Sequence, residues 1–331
     1  MKLSTFLRPR LASGLLAAAA AFAANSALAA LIAYEPFNYT AGENLDGKTG
    51  GFGWAGAWGI KNQVTPNGPA IPANGAVIQA GSLTGPGGLP TLGGHVRMSA
   101  ENGAFEMARS FPNIAGTNGT TTWFSFIGQR IGDANGGTNW PNNPYPRGAN
   151  IGLFDAQATA QGGTNFERIG IGNSTTGNAA DANHYDEWSL IPQGSGALRE
   201  GPVSHSPKWS EVRWAVLRID HVGDATVADS AYLWLNPNPL GGEPSLASAD
   251  VTILSGDSNS RDLSDVDFIR PFLGAVQNAG NAATQRPAGV MLLDEIRLGT
   301  TWADMTAVPE PASAALAGLA VMGLVAVRRK R

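Results

Sequence analysis

The chain has 331 residues, of which 43 are glycine and 21 proline, and only 15% are charged. That composition favours turns and strands over long helices, while 43% apolar residues still suffice to bury a large core. It has no cysteine, which excludes disulfides, thiolate nucleophiles and cysteine-ligated zinc or iron–sulfur sites. The start of the chain reads as an export signal. Lys2, Arg8 and Arg10 precede an apolar stretch from Leu11 to Ala24, and Ala27-Leu28-Ala29 supplies small residues for signal peptidase, placing a signal peptide at 1–29. The alternative, a buried N-terminal helix, leaves this order of charged, apolar and small residues unexplained.

Residues 30–306 form the expected exported domain. Its strands are expected at His95–Ser99, Ala104–Ser110, Thr122–Arg130, Asn150–Phe154, Arg168–Gly172, Glu187–Ile191, Val212–Asp220, Ser230–Asn236, Asp267–Ala275 and Val290–Leu298. Thr122–Ile127 is aromatic and β-branched, as a packed strand should be. Ser230–Asn236 alternates poorly, which predicts cover on both faces, and the Gly223-Asp224 turn joins it to Val212–Asp220 as a hairpin. Ten or more strands without interleaved helices predict a sandwich or barrel. The loop-like stretches Gly132–Gly148 and Gly172–Ala182 are where binding would reside.

The end of the chain has three parts: Pro309-Glu310-Pro311, an uncharged apolar segment 312–327, and Arg328-Arg329-Lys330-Arg331. The apolar segment would make about 24 Å of helix, a short transmembrane span whose basic flank stays cytoplasmic. This tail, residues 307–331, resembles the PEP-CTERM sorting signal of Gram-negative bacteria. The resemblance implies processing near the Pro-Glu-Pro by an exosortase, transient residence in the inner membrane, and delivery to the cell surface or extracellular matrix, often in company with polysaccharide. A plain single-span anchor is the competing reading. If the leader, the tail and Glu310 are removed, the basic residues fall from 22 to 15 and the acidic residues from 26 to 25. The mature domain then carries about −10 and would repel nucleic acid.

Phe37-Asn38-Tyr39 with Gly50–Trp58, then Tyr232–Pro237 and Leu293–Thr300, resemble segments of concanavalin A-like, laminin-G-type domains. The resemblance implies an all-β, two-sheet jelly-roll sandwich in which the first and last strands meet. Some relatives on that fold are glycosidases with Glu-x-Asp-x-x-Glu on one strand. Here Asp294 and Glu295 are adjacent and should point to opposite faces, and Asp265 and Asp267 have no third carboxylate at the needed spacing. The chain therefore reads as a non-enzyme. Gly51-x-Gly53-x-x-Gly56 matches a dinucleotide fingerprint only by letters, since no helix follows; its glycines are expected to permit close packing. His95, His184, His205 and His221 have no metal-ligand spacing or nucleophile elbow, and are expected at the surface or in turns.

No cofactor is expected except calcium, which such folds often hold. Asp262, Asp265 and Asp267, or Glu43, Asn44 and Asp46, could supply oxygen ligands, against the plainer reading of solvated acidic turns. Trp140 and Tyr145, with Asn142 and Asn143 between them, form a polar, proline-rich loop suited to stacking and hydrogen-bonding a sugar, unless the rings merely cap the sandwich. Three functions stay open: a non-catalytic polysaccharide-binding surface protein, a purely structural or adhesive one, and a divergent glycan-active enzyme. Two carboxylates converging on a sheet face would favour the last.

Overall fold

The computed structural model describes residues 31–63, 75–99, 104–131, 149–155, 167–173, 187–192, 203–223, 227–257, 260–274 and 290–307. Among these residues are fifteen strands and one short α-helix, and every named strand pair is antiparallel. One sheet runs β13 (Val251–Ile253), β12 (Ser230–Leu235), β11 (Arg213–Asp220), β6 (Thr121–Ile131), β15 (Val290–Gly299), β4 (His95–Ser99), β3 (Ala76–Gln79), with β1 (Ala33–Glu35) also beside β15. The other runs β10 (Val203–Lys208), β9 (Glu187–Pro192), β8 (Glu167–Asn173), β7 (Ala149–Phe154), β14 (Val266–Gly274), β5 (Ala104–Ile114), β2 (Gly59–Gln63). This is the expected two-sheet jelly-roll sandwich, and its first and last strands meet, Ala33 opposite Leu298.

The alternation of each strand explains the layers. Phe124, Phe126, Leu217, Leu293 and Ile296 of the eight-stranded sheet face Phe105, Met107, Ile151, Ile169, Leu190 and Ile269 of the seven-stranded one. Trp188 and Trp209 stack at 4.1 Å between centroids, and both lie near Phe126. Truncating any one of these rings would cost roughly 3–5 kcal/mol.

The eight-stranded sheet is covered on its far side as well. Trp123, Trp214 and Trp234 pack there with Leu83, Leu89, Trp302 and Met305. Helix α1 (Trp302–Thr306) has only five residues and could not persist alone. It is fixed by a Thr301–Asp304 capping box and by Trp302, whose ring lies 5.7 Å from Trp123 and 5.6 Å from Trp214. This second layer accounts for the two-sided cover of β12, whose Leu233 faces one cluster and Trp234 the other.

All ten expected strands are present. β1, β2, β3, β10 and β13 were not expected. Asp294 and Glu295 depart from the expected strand geometry. The backbone at Glu295 has φ +51°, and the β15–β6 register shifts between Asp294 and Arg297. This bulge lets both carboxylates serve one segment, with Asp294 accepting from Leu83 N at 2.8 Å and Glu295 from Leu92 N at 2.5 Å. Gly53 has φ +77°, and a Cβ there would overlap the Ile32 carbonyl. The glycine run thus allows close packing, as expected.

Candidate functional site

The aromatic loop residues Trp140, Asn142, Asn143 and Tyr145 lie outside the described residues, as do Ala27, Ala29, the 309–311 motif and the basic tail 328–331. His184 and the His205 side chain do so as well. The acidic candidates can be placed. Asp262 accepts from Ser264 N at 3.0 Å and has Arg168 at 3.7 Å; Arg168 also pairs with Asp155 at 3.2 Å. Asp265 has φ +57° and accepts from Asn113 at 3.4 Å. Burial, with help from the charges of Asp155 and Asp265, pushes the Asp267 carboxyl up to about 6. Glu43 is paired with Lys48 at 2.7 Å, and Asn44 and Asp46 accept backbone N–H groups. Among the described residues no group of three or more His, Cys, Asp or Glu side chains could hold a metal ion.

Two carboxylates do converge, on the face of the seven-stranded sheet that points away from the core. Strand register places Glu106 opposite Phe272 and Arg270 opposite Gly152 on that face. Arg270 lies 3.4 Å from Glu106 and 3.3 Å from Glu167, with its guanidinium 4.1 Å from the Phe154 ring centroid. Phe154, Phe268 and Ala108 form a small apolar cluster beside it. Missing side chains make the bridge possible: a Cβ at Gly152 would stand 2.5 Å from Glu167 Oε1, and one at Gly170 3.1 Å. Glu167 therefore lies across two glycines to reach Arg270. Glu106 and Glu167 are only 6% and 2% exposed.

This geometry bears directly on hydrolysis. A glycosidase needs one protonated carboxyl and one anion, both open to substrate. Here Glu106 and Glu167 are both buried and both lie against the one Arg270 guanidinium.

A second constellation sits at the hairpin end of the eight-stranded sheet. His221 lies in the β11–β12 connection, within the expectation of a surface or turn residue, but it is buried there. Its Nδ1 lies 3.0 Å from Asp229 Oδ2, and its Nε2 is 2.9 Å from Thr122 Oγ1. Asp229 also accepts from Val222 N and Leu263 N at 2.9 Å. Burial opposes its ionisation, but the bonds from His221 and those two amides hold the carboxyl below its usual range. The order hydroxyl, imidazole, carboxylate is that of an activated nucleophile. Thr122, however, is 1% exposed, and Gly116 presses on the ring, so that a Cβ there would stand 2.6 Å from the imidazole. The trio fastens residues 116–122 to the ends of the hairpin and to residue 263.

A third cluster explains the Phe37-Asn38-Tyr39 and Gly50–Trp58 segments. Buried Glu35 pairs with Arg109 and accepts from Trp58 Nε1, Tyr39 OH and Phe37 N, each at 2.9 Å. Arg109 completes its valence on the carbonyls of Gly56 and Gly50, at 2.9 and 2.8 Å. Burial raises the Glu35 carboxyl while those partners pull it down. No local pattern marks Glu35 or Arg109, because the pair joins strands 74 residues apart.

The described domain is thus a jelly-roll sandwich with buried charged clusters at Glu35–Arg109, Glu106–Arg270–Glu167 and His221–Asp229. Residues 307–331 match the PEP-CTERM protein-sorting motif. The chain is an exported protein processed by an exosortase, and its destination is the cell surface or the extracellular space. No curated protein matches its sequence. Among solved structures it is similar to an endo-1,3-beta-glucanase from Streptomyces sioyaensis (10% identity, 81% of this chain and 95% of that one, TM-score 0.45). It is also similar to an endo-beta-1,4-glucuronan lyase from the fungus Trichoderma reesei (12% identity, 70% and 90%, TM-score 0.39). A third is the VIP36 exoplasmic/lumenal domain in its Ca2+-bound form (10% identity, 69% and 84%, TM-score 0.36).

Proposed function

We propose that the mature protein is a non-catalytic component of the cell surface or matrix that binds polysaccharide through the loops of its sandwich. The observation that carries the non-catalytic reading is the Glu106–Arg270–Glu167 bridge, in which both convergent carboxylates are buried and share one cation. Support for polysaccharide comes from the Trp140–Tyr145 loop, whose rings and asparagines match the apolar faces and hydroxyls of a sugar. Signal peptidase at Ala27–Ala29 and exosortase at Pro309–Pro311 would trim the chain at both ends.

The test is a glycan array on residues 30–308, run with and without calcium. Reproducible binding is expected, weakened about tenfold by Trp140→Ala, the effect of losing one stacked ring. Calcium dependence lost in Asp262→Asn would be needed to give that acidic segment a ligand role, since its carboxylates do not converge in this structure. A folded domain that binds no glycan would leave a purely structural or adhesive role.

A glycan-active enzyme is favoured by one observation, the convergence of Glu106 and Glu167 on a single sheet face. Release of reducing ends from a β-glucan, abolished by Glu106→Gln, would establish it.

A further inference from the structure

The second layer over the eight-stranded sheet carries an unusual surface. Leu240 is 77% exposed, Leu246 37% and Leu92 43%, and each belongs to a segment that builds this layer. Leu240 is held in place, since its N–H bonds Asn238 Oδ1 at 3.1 Å and its side chain rests against Gly88, where a Cβ would come within 2.7 Å. The next carbonyl, Gly241 O, accepts from Trp302 Nε1 at 3.3 Å, which joins the Leu240 loop to α1. Buried Arg297 bonds both Pro90 O and Met305 O, at 2.6 and 2.5 Å, which joins the segment before Leu92 to the same helix. The Leu240 loop and the segment before Leu92 are therefore both bonded to the helix from which the sorting tail leaves.

That tail is short. Met305 is fully buried, its helix ends at Thr306, and the apolar segment begins at Ala312, so residues 307–311 are the whole connection between helix and segment. Five extended residues reach at most about 17 Å. The headgroup zone is itself about 5–7 Å deep on each side of the hydrocarbon.

We infer that, until the tail is cut, the leucine-bearing layer rests on the lipid headgroup region of the membrane that holds residues 312–327. This rests on the reading of 312–327 as a membrane span. The occupant is lipid because the connector delivers it: a face held within 17 Å of a bilayer meets headgroups at high effective concentration, even where three leucines alone would bind too weakly to stay. The contact is apolar. Glu243 beside the Leu240 loop is paired with Arg218, and Asp250 accepts from Leu235 N. Added salt should therefore leave the contact unchanged. Cutting at the Pro-Glu-Pro removes the tether, so processing and release from the membrane surface become one event.

Because the chain lacks cysteine, one introduced thiol reports from one place. The chain with its tail is reconstituted into phosphatidylethanolamine–phosphatidylcholine vesicles as Leu240→Cys or Val222→Cys, each carrying an environment-sensitive fluorophore. Val222 is 43% exposed and stands at the opposite, turn end of the β11–β12 hairpin. Lipid-borne quencher should reduce the Leu240→Cys signal several-fold more than the Val222→Cys signal. The difference should survive 0.5 M salt and vanish when fifteen Gly-Ser residues are inserted after Ala307. Equal quenching at both sites in chains that float with the vesicles would overturn the contact while leaving the span intact. Chains that fail to float would overturn the span and the contact together. Self-association of the tail-free domain, lost in Leu240→Asp, would assign the patch to a second copy and overturn the lipid reading.

Discussion

Asp294 should make the domain less stable as pH rises through neutrality. Its side chain is fully buried, with Oδ2 accepting from Leu83 N and Oδ1 from Glu295 N, both at 2.8 Å. Burial, reinforced by the neighbouring Glu295 charge, pushes its carboxyl up to about 9. In the unfolded chain the same group titrates near 3.9. Between those values the folded protein holds a proton that the unfolded chain has released. Its stabilising contribution is complete below the unfolded pKa and is lost as pH rises toward the folded one. One proton corresponds to about 1.4 kcal/mol per pH unit, or about 2.7 kcal/mol between pH 6 and pH 8. Glu35 and Asp267 are shifted in the same direction, so the wild-type slope alone is ambiguous. Asp294→Asn isolates the term: the amide cannot titrate and keeps one oxygen as acceptor. Urea unfolding of residues 30–308 at pH 6, 7 and 8 should show the variant's stability declining less steeply, by about 1.4 kcal/mol per unit. Parallel lines for the two proteins would refute the assignment of a buried, protonated Asp294.

Two further outcomes follow from the packing. Arg270→Met leaves Glu106 and Glu167 buried without their shared cation and should cost about 3–5 kcal/mol in urea unfolding, most of it recovered when both glutamates also become glutamine. Gly53→Ala forces a Cβ into the Ile32 carbonyl and should lower the melting temperature far more than Gly47→Ala. Gly47 has a similar φ of +79° but open space around it. Equal effects would mean that backbone strain, not the close approach of β1, decides both.

The strands that could be read from the residues are those packed on both faces or rich in aromatic and branched side chains, such as β6, β11 and β15. β1, β3 and β13 span three or four residues, too few for a period of two to show, and β10 carries Pro207 between polar residues. The charged clusters were hidden for another reason. Glu106, Glu167 and Arg270 come from three strands, and only the pairing order of the sheet brings them onto one face. Local alternation also misled at Asp294-Glu295, where the extra residue of a bulge overrides the rule of opposite faces. Thr122, His221 and Asp229 meet because β6 and β11 pair in register, a fact with no local signature.

The position of β15 sets the order in which the domain can be assembled. It lies between β6 and β4 and also receives β1, while β14 lies between β5 and β7, so Val266–Gly274 and Val290–Gly299 occupy the interior of the two sheets. Without them each sheet divides into two separate groups of strands, β13-β12-β11-β6 and β4-β3 in one, β10-β9-β8-β7 and β5-β2 in the other. The two sheets are therefore completed only by the last strands of the domain, β14 and β15. A chain ending before Val266 would lack the two strands that join these groups and should be far more open to proteases than the whole domain.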